Sequence, residues 1–82
     1  MLMNQFRKRL KRFLENPEST PYAIIENILI RFDFEQLSIQ GSHKKFGHPS
    51  LKYRLIFPIH NHDTKKVYKK IAADTLKKHF DV

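Results

Sequence analysis

A histidine lies among lysines near the middle of the chain, in the run Gly41-Ser42-His43-Lys44-Lys45. Histidine exchanges protons near neutral pH, and RNA carries its own nucleophile, the 2′-hydroxyl beside each phosphate. One histidine can therefore act as general base for that hydroxyl or protonate the leaving oxygen. Lys44 or Lys45 could neutralise the charge that develops on the phosphate oxygens. This predicts a site for metal-independent RNA cleavage, and the simpler alternative is a surface histidine beside solvated lysines.

A second group of polar residues, His60, His62 and Asp63, has a spacing that metal ligands sometimes show. In a strand, residues two apart lie on one face. A third or fourth ligand is missing nearby, however, and Asp63 suits a helix cap better. We therefore predict no metal site and no cofactor.

The remaining cations form two basic segments. The last predicted helix carries Lys65, Lys66 and Lys69, which could contact an RNA backbone, since RNA recognition rests largely on phosphate contacts. Arg7 to Phe13 forms a basic amphipathic segment near the N-terminus, for which a membrane-surface helix is a further alternative. For both segments the simplest interpretation is a solvated helix face.

Composition narrows the classes of partner. The 82 residues include sixteen Lys and Arg but only eight Asp and Glu, which gives a formal net charge of +8. Such a field attracts polyanions, above all nucleic acid, or an acidic protein. There is no cysteine, no apolar run of membrane-spanning length and no signal-peptide pattern. We therefore expect a cytoplasmic protein with neither a membrane partner nor a small-molecule cofactor.

The elements that must position these residues follow from periodicity. Phe6, Leu10 and Phe13/Leu14 mark an amphipathic helix that ends at Asn16-Pro17. Ser19 or Thr20 is predicted to cap a second helix, and Asp63 or Thr64 a last one that runs to about Phe80. Between them, alternation predicts three strands: one from Phe34, one over His43 to Gly47, and one through Tyr53 to Ile59.

These elements predict an α+β fold in a single domain, residues 1–82. We expect a three-stranded antiparallel sheet with helices on one face, since consecutive strands with short connections pair antiparallel. This is the α-β-β-β-α order of a double-stranded-RNA-binding domain, with an extra N-terminal helix over residues 1–16. If Phe46 points into the core, alternation directs His43 and Lys45 to the opposite, open face.

The stretch from Gly41 to Pro49, with Gly-Ser-His, an aromatic residue three positions on and then His-Pro, resembles the signature of the HicA family of RNA-cleaving toxins. Phe57-Pro58-Ile59-His60 resembles the family's strand that ends in Pro-x-His, and a basic C-terminal helix follows. Upstream, Phe32-Asp33-Phe34 stands where the family usually has Gly-Phe. The resemblance covers about residues 20–80.

The resemblance implies a double-stranded-RNA-binding-like fold, ribonuclease activity on mRNA, and inhibition by a HicB-type antitoxin protein. It also implies that His43 is the catalytic residue. We assign a set of neighbouring residues to RNA binding: Gly41, Ser42, Lys44, Lys45, Lys65, Lys66 and Lys69. Two alternatives from other classes stay open, a non-catalytic RNA-binding module on the same fold and a basic adaptor that binds only an acidic protein.

Overall fold

The computed structural model describes the backbone of residues 2–82, and their side chains except those of residues 2–4 and 38–40. Met1, part of the predicted N-terminal segment, lies outside the described residues. The elements in chain order are α1 (Leu2–Glu15), a short 3₁₀ helix (Pro17–Ser19), α2 (Tyr22–Arg31), β1 (Glu35–Gln40), β2 (His43–Gly47), β3 (Leu55–Pro58) and α3 (Lys66–His79). The predicted order of helices and strands is confirmed.

The three strands form one antiparallel sheet in the order β1-β2-β3, which confirms the α+β class. Phe46, Leu55 and Phe57 are buried on one face of this sheet, beneath the helices. On the same strands, His43 and Ile56 occupy positions of the opposite parity and are exposed, so the other face lies open. The amphipathic pattern of the strands thus decides which side of the sheet is available to a ligand.

The helices close the core with one apolar face each. Ile25, Ile28 and Leu29 of α2 and Ala72 and Leu76 of α3 are at most 1% exposed. From α1, Phe13 is fully buried, and Phe6, Leu10 and Leu14 pack against the same cluster. The predicted apolar stripe of α1 is confirmed over the positions whose side chains are described.

The end of α2 uses an aspartate where a glycine is usual. Asp33 has a positive φ of 68°. Its N–H donates to the Ile30 carbonyl and the Phe34 N–H to the Leu29 carbonyl, each at 3.0 Å, which is the Schellman pattern of helix ends. The chain therefore enters β1 with the Phe34 side chain turned into the core.

The predicted helix caps are wrong. Ser19 lies in the 3₁₀ helix, and α2 begins after Pro21 without a side-chain hydrogen bond from its own N-cap. The Tyr22 N–H instead donates to Oδ1 of Asp63 at 3.1 Å, from 41 residues away. Asp63 thus satisfies the start of α2 rather than that of α3, whose N-cap residue is Lys65.

Within the described part of the chain, each helix is too short or too polar to cross a bilayer.

Candidate functional site

Strand β2 carries the predicted catalytic histidine on the open face of the sheet. Phe46 is fully buried and pairs with Leu55, while His43 is exposed and pairs with Pro58. Lys45 lies two residues from His43, on the same face and about 7 Å along the strand. The parity argument is confirmed, because the irregularity in the sheet falls at Leu37 in β1 and leaves the phase of β2 unchanged.

A tight turn leads into this strand. Gly41 and Ser42 connect the paired residues Gln40 and His43, and Gly41 has a φ of 61°. Glycine at the first central position of a two-residue hairpin turn relieves the strain of that conformation. The Ser42 carbonyl accepts a hydrogen bond of 2.7 Å from the N–H of Ile59, so the turn is fixed to the end of β3. His43 therefore sits on well-supported backbone.

Lys44 points to the helical side and has partners there. Its Nζ lies 3.0 Å from Oε1 of Glu26 and 5.4 Å from the ring centre of Tyr22. The Tyr22 hydroxyl also donates to Glu26, at 2.9 Å. Burial, reinforced by the hydrogen bond to Glu26 and its charge, raises the pKa of Tyr22 above its ordinary value. Lys44 is thus a partly neutralised cation on the opposite face from His43.

Lys65 and Lys66 are exposed at the start of α3. The Oγ1 of the preceding residue, Thr64, donates at 2.6 Å to the carbonyl of Pro58, which is the cross-strand partner of His43. This bond brings the beginning of α3 to the end of the sheet that carries His43. The exposed cations Lys65 and Lys66 and the partly buried Lys45 thus belong to one end of the fold.

Lys69 behaves differently from these lysines. Its side chain is only 5% exposed, and its Nζ lies 3.0 Å from Oδ1 and 3.2 Å from Oδ2 of Asp63. Lys69 was assigned to RNA binding, but it is buried, and a carboxylate from the preceding turn compensates its charge inside the fold. Lys69 holds α3 to that turn and has no free ammonium to offer a phosphate.

Asp63 joins two elements through its carboxylate. Burial works to raise its pKa, but hydrogen bonds from Lys69 and from the N–H groups of Thr64 and Tyr22 outweigh it, so the pKa lies below its ordinary value. The carboxylate therefore stays ionised to low pH. The carboxylate binds a lysine and two backbone N–H groups of the protein, so Asp63 stabilises the fold at the edge of the site.

His60 and His62 lie in a tight turn rather than in a strand. The backbones of His60 and Asp63 exchange two hydrogen bonds of 2.7 and 3.0 Å, and Asn61 and His62 between them have φ values of 51° and 65°. The strand geometry that would have aligned the two imidazoles is therefore absent from this segment. Over the described residues, no three His, Cys, Asp or Glu side chains come together as a possible metal site.

Two apolar side chains of the open face were not anticipated as neighbours of Lys45. Ile56 pairs with Lys45 across the sheet and is 45% exposed, and Leu37, at the irregularity of β1, is 42% exposed. A Cβ added at Gly47 would lie 2.9 Å from Cδ1 of Leu37, so the glycine makes room for that side chain. The alternation around Ile56 could have indicated its exposure, but a bulge at Leu37 has no clear sequence signal.

Comparison of the chain with protein-family models, with curated proteins and with solved structures finds no match. Membership of the HicA family therefore stays a prediction from the residues quoted above.

Proposed function

We propose that the protein is a HicA-type toxin of a type II toxin–antitoxin system, a cytoplasmic ribonuclease that cleaves mRNA without a metal ion. The observation that carries the proposal is the position of His43, exposed on the open sheet face, with Lys45 on that face and Lys65 and Lys66 at the same end of the fold. The α-β-β-β-α order supports the double-stranded-RNA-binding-like fold that this family implies.

In the proposed reaction, Nδ1 or Nε2 of His43 takes the proton from the 2′-hydroxyl of the RNA. The 2′-oxygen attacks the adjacent phosphorus, the bond from phosphorus to the 5′-oxygen breaks, and that oxygen takes a proton from solvent water as it leaves. His43 then returns its proton to the solvent. The products are a 2′,3′-cyclic phosphate and a free 5′-hydroxyl. Lys45 stabilises the charge on the non-bridging oxygens, because an ammonium group near a developing anion lowers its energy.

Lys65 and Lys66 hold the RNA backbone beside the reacting phosphate. The start of α3 adds to their field, because the first N–H groups of a helix attract anions and Lys65 gives this helix no side-chain capping bond. Gly41 and Ser42 form the tight turn before β2, and their small side chains let the RNA backbone approach His43 closely. Lys69 has no part in this surface, since it is buried against Asp63.

The cleavage test uses RNA in the presence of EDTA. We expect wild-type protein to release products with 2′,3′-cyclic phosphate ends, and His43→Ala to abolish cleavage. His79→Ala, which removes another exposed histidine at the end of α3, is the matched control and should keep full activity. A 2′-O-methyl group at the cut site should stop the reaction while leaving RNA binding intact. A requirement for magnesium, or products with 5′-phosphates, would exclude this mechanism.

The toxin part of the proposal has its own test. Expression of the wild-type chain should arrest growth of a bacterial host, and His43→Ala should relieve the arrest. A HicB-type antitoxin, sought in the adjacent reading frame, should restore growth when it is co-expressed. High expression without loss of mRNA or growth would contradict the toxin assignment.

One observation favours a second candidate, an RNA-binding module without catalysis on the same fold. Glu26 partly neutralises Lys44, which leaves Lys45 as the cation next to His43 in β2. A weaker positive field beside the histidine suits binding better than stabilisation of a transition state. RNA affinity that His43→Ala leaves unchanged, together with no cleavage by either protein, would select this candidate.

A further inference from the structure

The N-terminal helix α1 presents its cations away from the core. Phe13 is fully buried, and Phe6, Leu10 and Leu14 pack against the same core, so the described apolar side chains of the helix face the fold. Five cations occupy the remaining surface within six positions, and all of them are exposed: Arg7, Lys8, Arg9, Lys11 and Arg12. The helix is thus fixed by its apolar side and charged on its free side.

Within the described side chains, no ion pair compensates these cations. Across the side chains that the structure describes, the ion pairs are Lys44–Glu26 and Lys69–Asp63, and neither involves α1. The first turn of α1 contains no acidic residue. The helix dipole therefore adds to the positive potential at its N-terminal end instead of being balanced there.

Repulsion between its own cations destabilises helix α1. Arg7 with Lys11 and Lys8 with Arg12 are like-charged pairs four residues apart, and two more pairs, Lys8–Lys11 and Arg9–Arg12, lie three apart. Each like-charged pair destabilises a helix by about 0.2–0.5 kcal/mol, so the four together cost about 1–2 kcal/mol. Bound phosphates would reduce this repulsion between the cations of α1.

The side chains converge rather than point in random directions. Gln5, Lys8, Arg9 and Arg12 line one surface groove, which combines three cations with an amide donor. The angular spacing of 100° per residue places these four on one arc of the helix. Arg31 of α2 lines an adjacent groove with Gln5 and Arg9, and its guanidinium lies over the ring of Phe6 at 4.4 Å.

We propose that the groove of Gln5, Lys8, Arg9 and Arg12 on α1 is a second RNA-backbone contact, distinct from the His43 surface. The proposal rests on RNA being the ligand of this protein. The packing of α1 also favours RNA over a membrane, because a helix lies in a membrane surface by inserting its apolar side. Here Phe13 is fully buried, and its apolar neighbours on α1 already pack against the core. The exposed arc has donors and cations, which suit phosphate oxygens.

The size of the expected effect follows from counterion release. For single-stranded RNA the logarithm of the affinity falls with the logarithm of salt concentration with a slope of roughly −0.7 per phosphate contact. Loss of three contacts should therefore reduce the magnitude of the slope by about 2. If the affinities converge near 1 M salt, this corresponds to about 100-fold weaker binding at 0.1 M salt.

The experiment measures binding of a fluorescent single-stranded RNA over a range of salt, in a His43→Ala background so that the RNA stays intact. The test variant is Lys8→Gln, Arg9→Gln, Arg12→Gln, since glutamine keeps helix propensity. The matched control, Lys52→Gln, Lys70→Gln, Lys78→Gln, removes the same number of charges at other exposed positions. We expect the slope to fall by about 2 in the test variant and by less than 1 in the control.

Equal slopes in the two triple variants would overturn the proposal, because the effect would then be one of net charge. Binding of wild-type protein to anionic phosphatidylserine vesicles that is lost in the test variant, with RNA binding unchanged, would assign α1 to a membrane instead. Cleavage assays are independent of these measurements. Failure of His43→Ala to affect cleavage would refute the proposed catalytic role, and the α1 test would then be made on 2′-O-methyl RNA in EDTA.

Discussion

Helices α1 and α3 have the same length, 14 residues, and each carries five Lys or Arg residues. In α1 all five are exposed, and the helix is attached by Phe13 and its apolar neighbours. In α3 one cation, Lys69, is buried and attaches the helix through Asp63. The difference teaches that the number of cations in a helix does not give the number available to a ligand. Whether a cation is available depends on whether another segment supplies a carboxylate to pair with it.

The apolar attachment of α1 gives the largest expected effect. Phe13→Ala should lower the free energy of unfolding by about 4 kcal/mol, because it removes a fully buried aromatic side chain and leaves a cavity. Urea denaturation measures this loss. The exposed neighbour Lys11→Ala should change stability by less than about 0.5 kcal/mol. A loss under about 1 kcal/mol for Phe13→Ala would mean that α1 is attached some other way.

The ionic attachment of α3 should be the next most sensitive. Asp63→Ala leaves the Lys69 ammonium buried without its partner and removes the acceptor for the Tyr22 N–H. We expect a loss of about 3 kcal/mol, at the lower end for a broken buried pair because Asp63 is half exposed. Asp74→Ala, an exposed carboxylate on α3 itself, is the control and should be nearly neutral. Similar losses in the two variants would refute the special role of Asp63.

The two attachments should also differ in their response to pH. The pKa of Asp63 is lowered in the folded state, so its contribution to stability is complete above the unfolded value of about 3.9 and is lost as pH falls through the folded pKa. Below pH 4, melting temperatures of Phe13→Ala should therefore fall as steeply as those of wild type. Asp63→Asn should show a shallower fall. The same slope in Asp63→Asn would show that other carboxylates control acid unfolding.

The smallest effect concerns the entry to α3 and has the opposite sign. His62 has a left-handed backbone in the turn before this helix, a conformation that costs a non-glycine residue about 1 kcal/mol. His62→Gly should raise the free energy of unfolding by about 1 kcal/mol. Asn61→Gly should raise it less, because asparagine tolerates this conformation better. A loss of stability in His62→Gly would show that the imidazole itself makes a stabilising contact.

Local patterns were sufficient to predict several features. The bounds of β2, the exposure of His43 and the apolar side of α1 follow from alternation and helical periodicity over a few residues. The burial of Phe46 and the turn at Gly41-Ser42 belong to the same class. Each of these depends on residues that are close in the sequence, where spacing is a direct guide to geometry.

Features that depend on distant residues could not be predicted. Asp63 was expected to cap the helix that follows it. Instead it accepts a hydrogen bond from the N–H of Tyr22 and forms an ion pair with Lys69. Lys44 was expected to stabilise phosphate charge beside His43, but it forms an ion pair with Glu26. In both cases local spacing is compatible with the expected partner, and only the tertiary fold shows which partner is closer.

The link between Asp63 and the start of α2 has a consequence for the kinetics of folding. Its two ends are 41 residues apart and enclose the whole sheet, so we expect them to meet after the local β1–β2 hairpin has formed. An interaction formed after the transition state leaves the folding rate unchanged and slows unfolding. We therefore expect the loss of Asp63 to shorten the lifetime of the native state without delaying the formation of the fold.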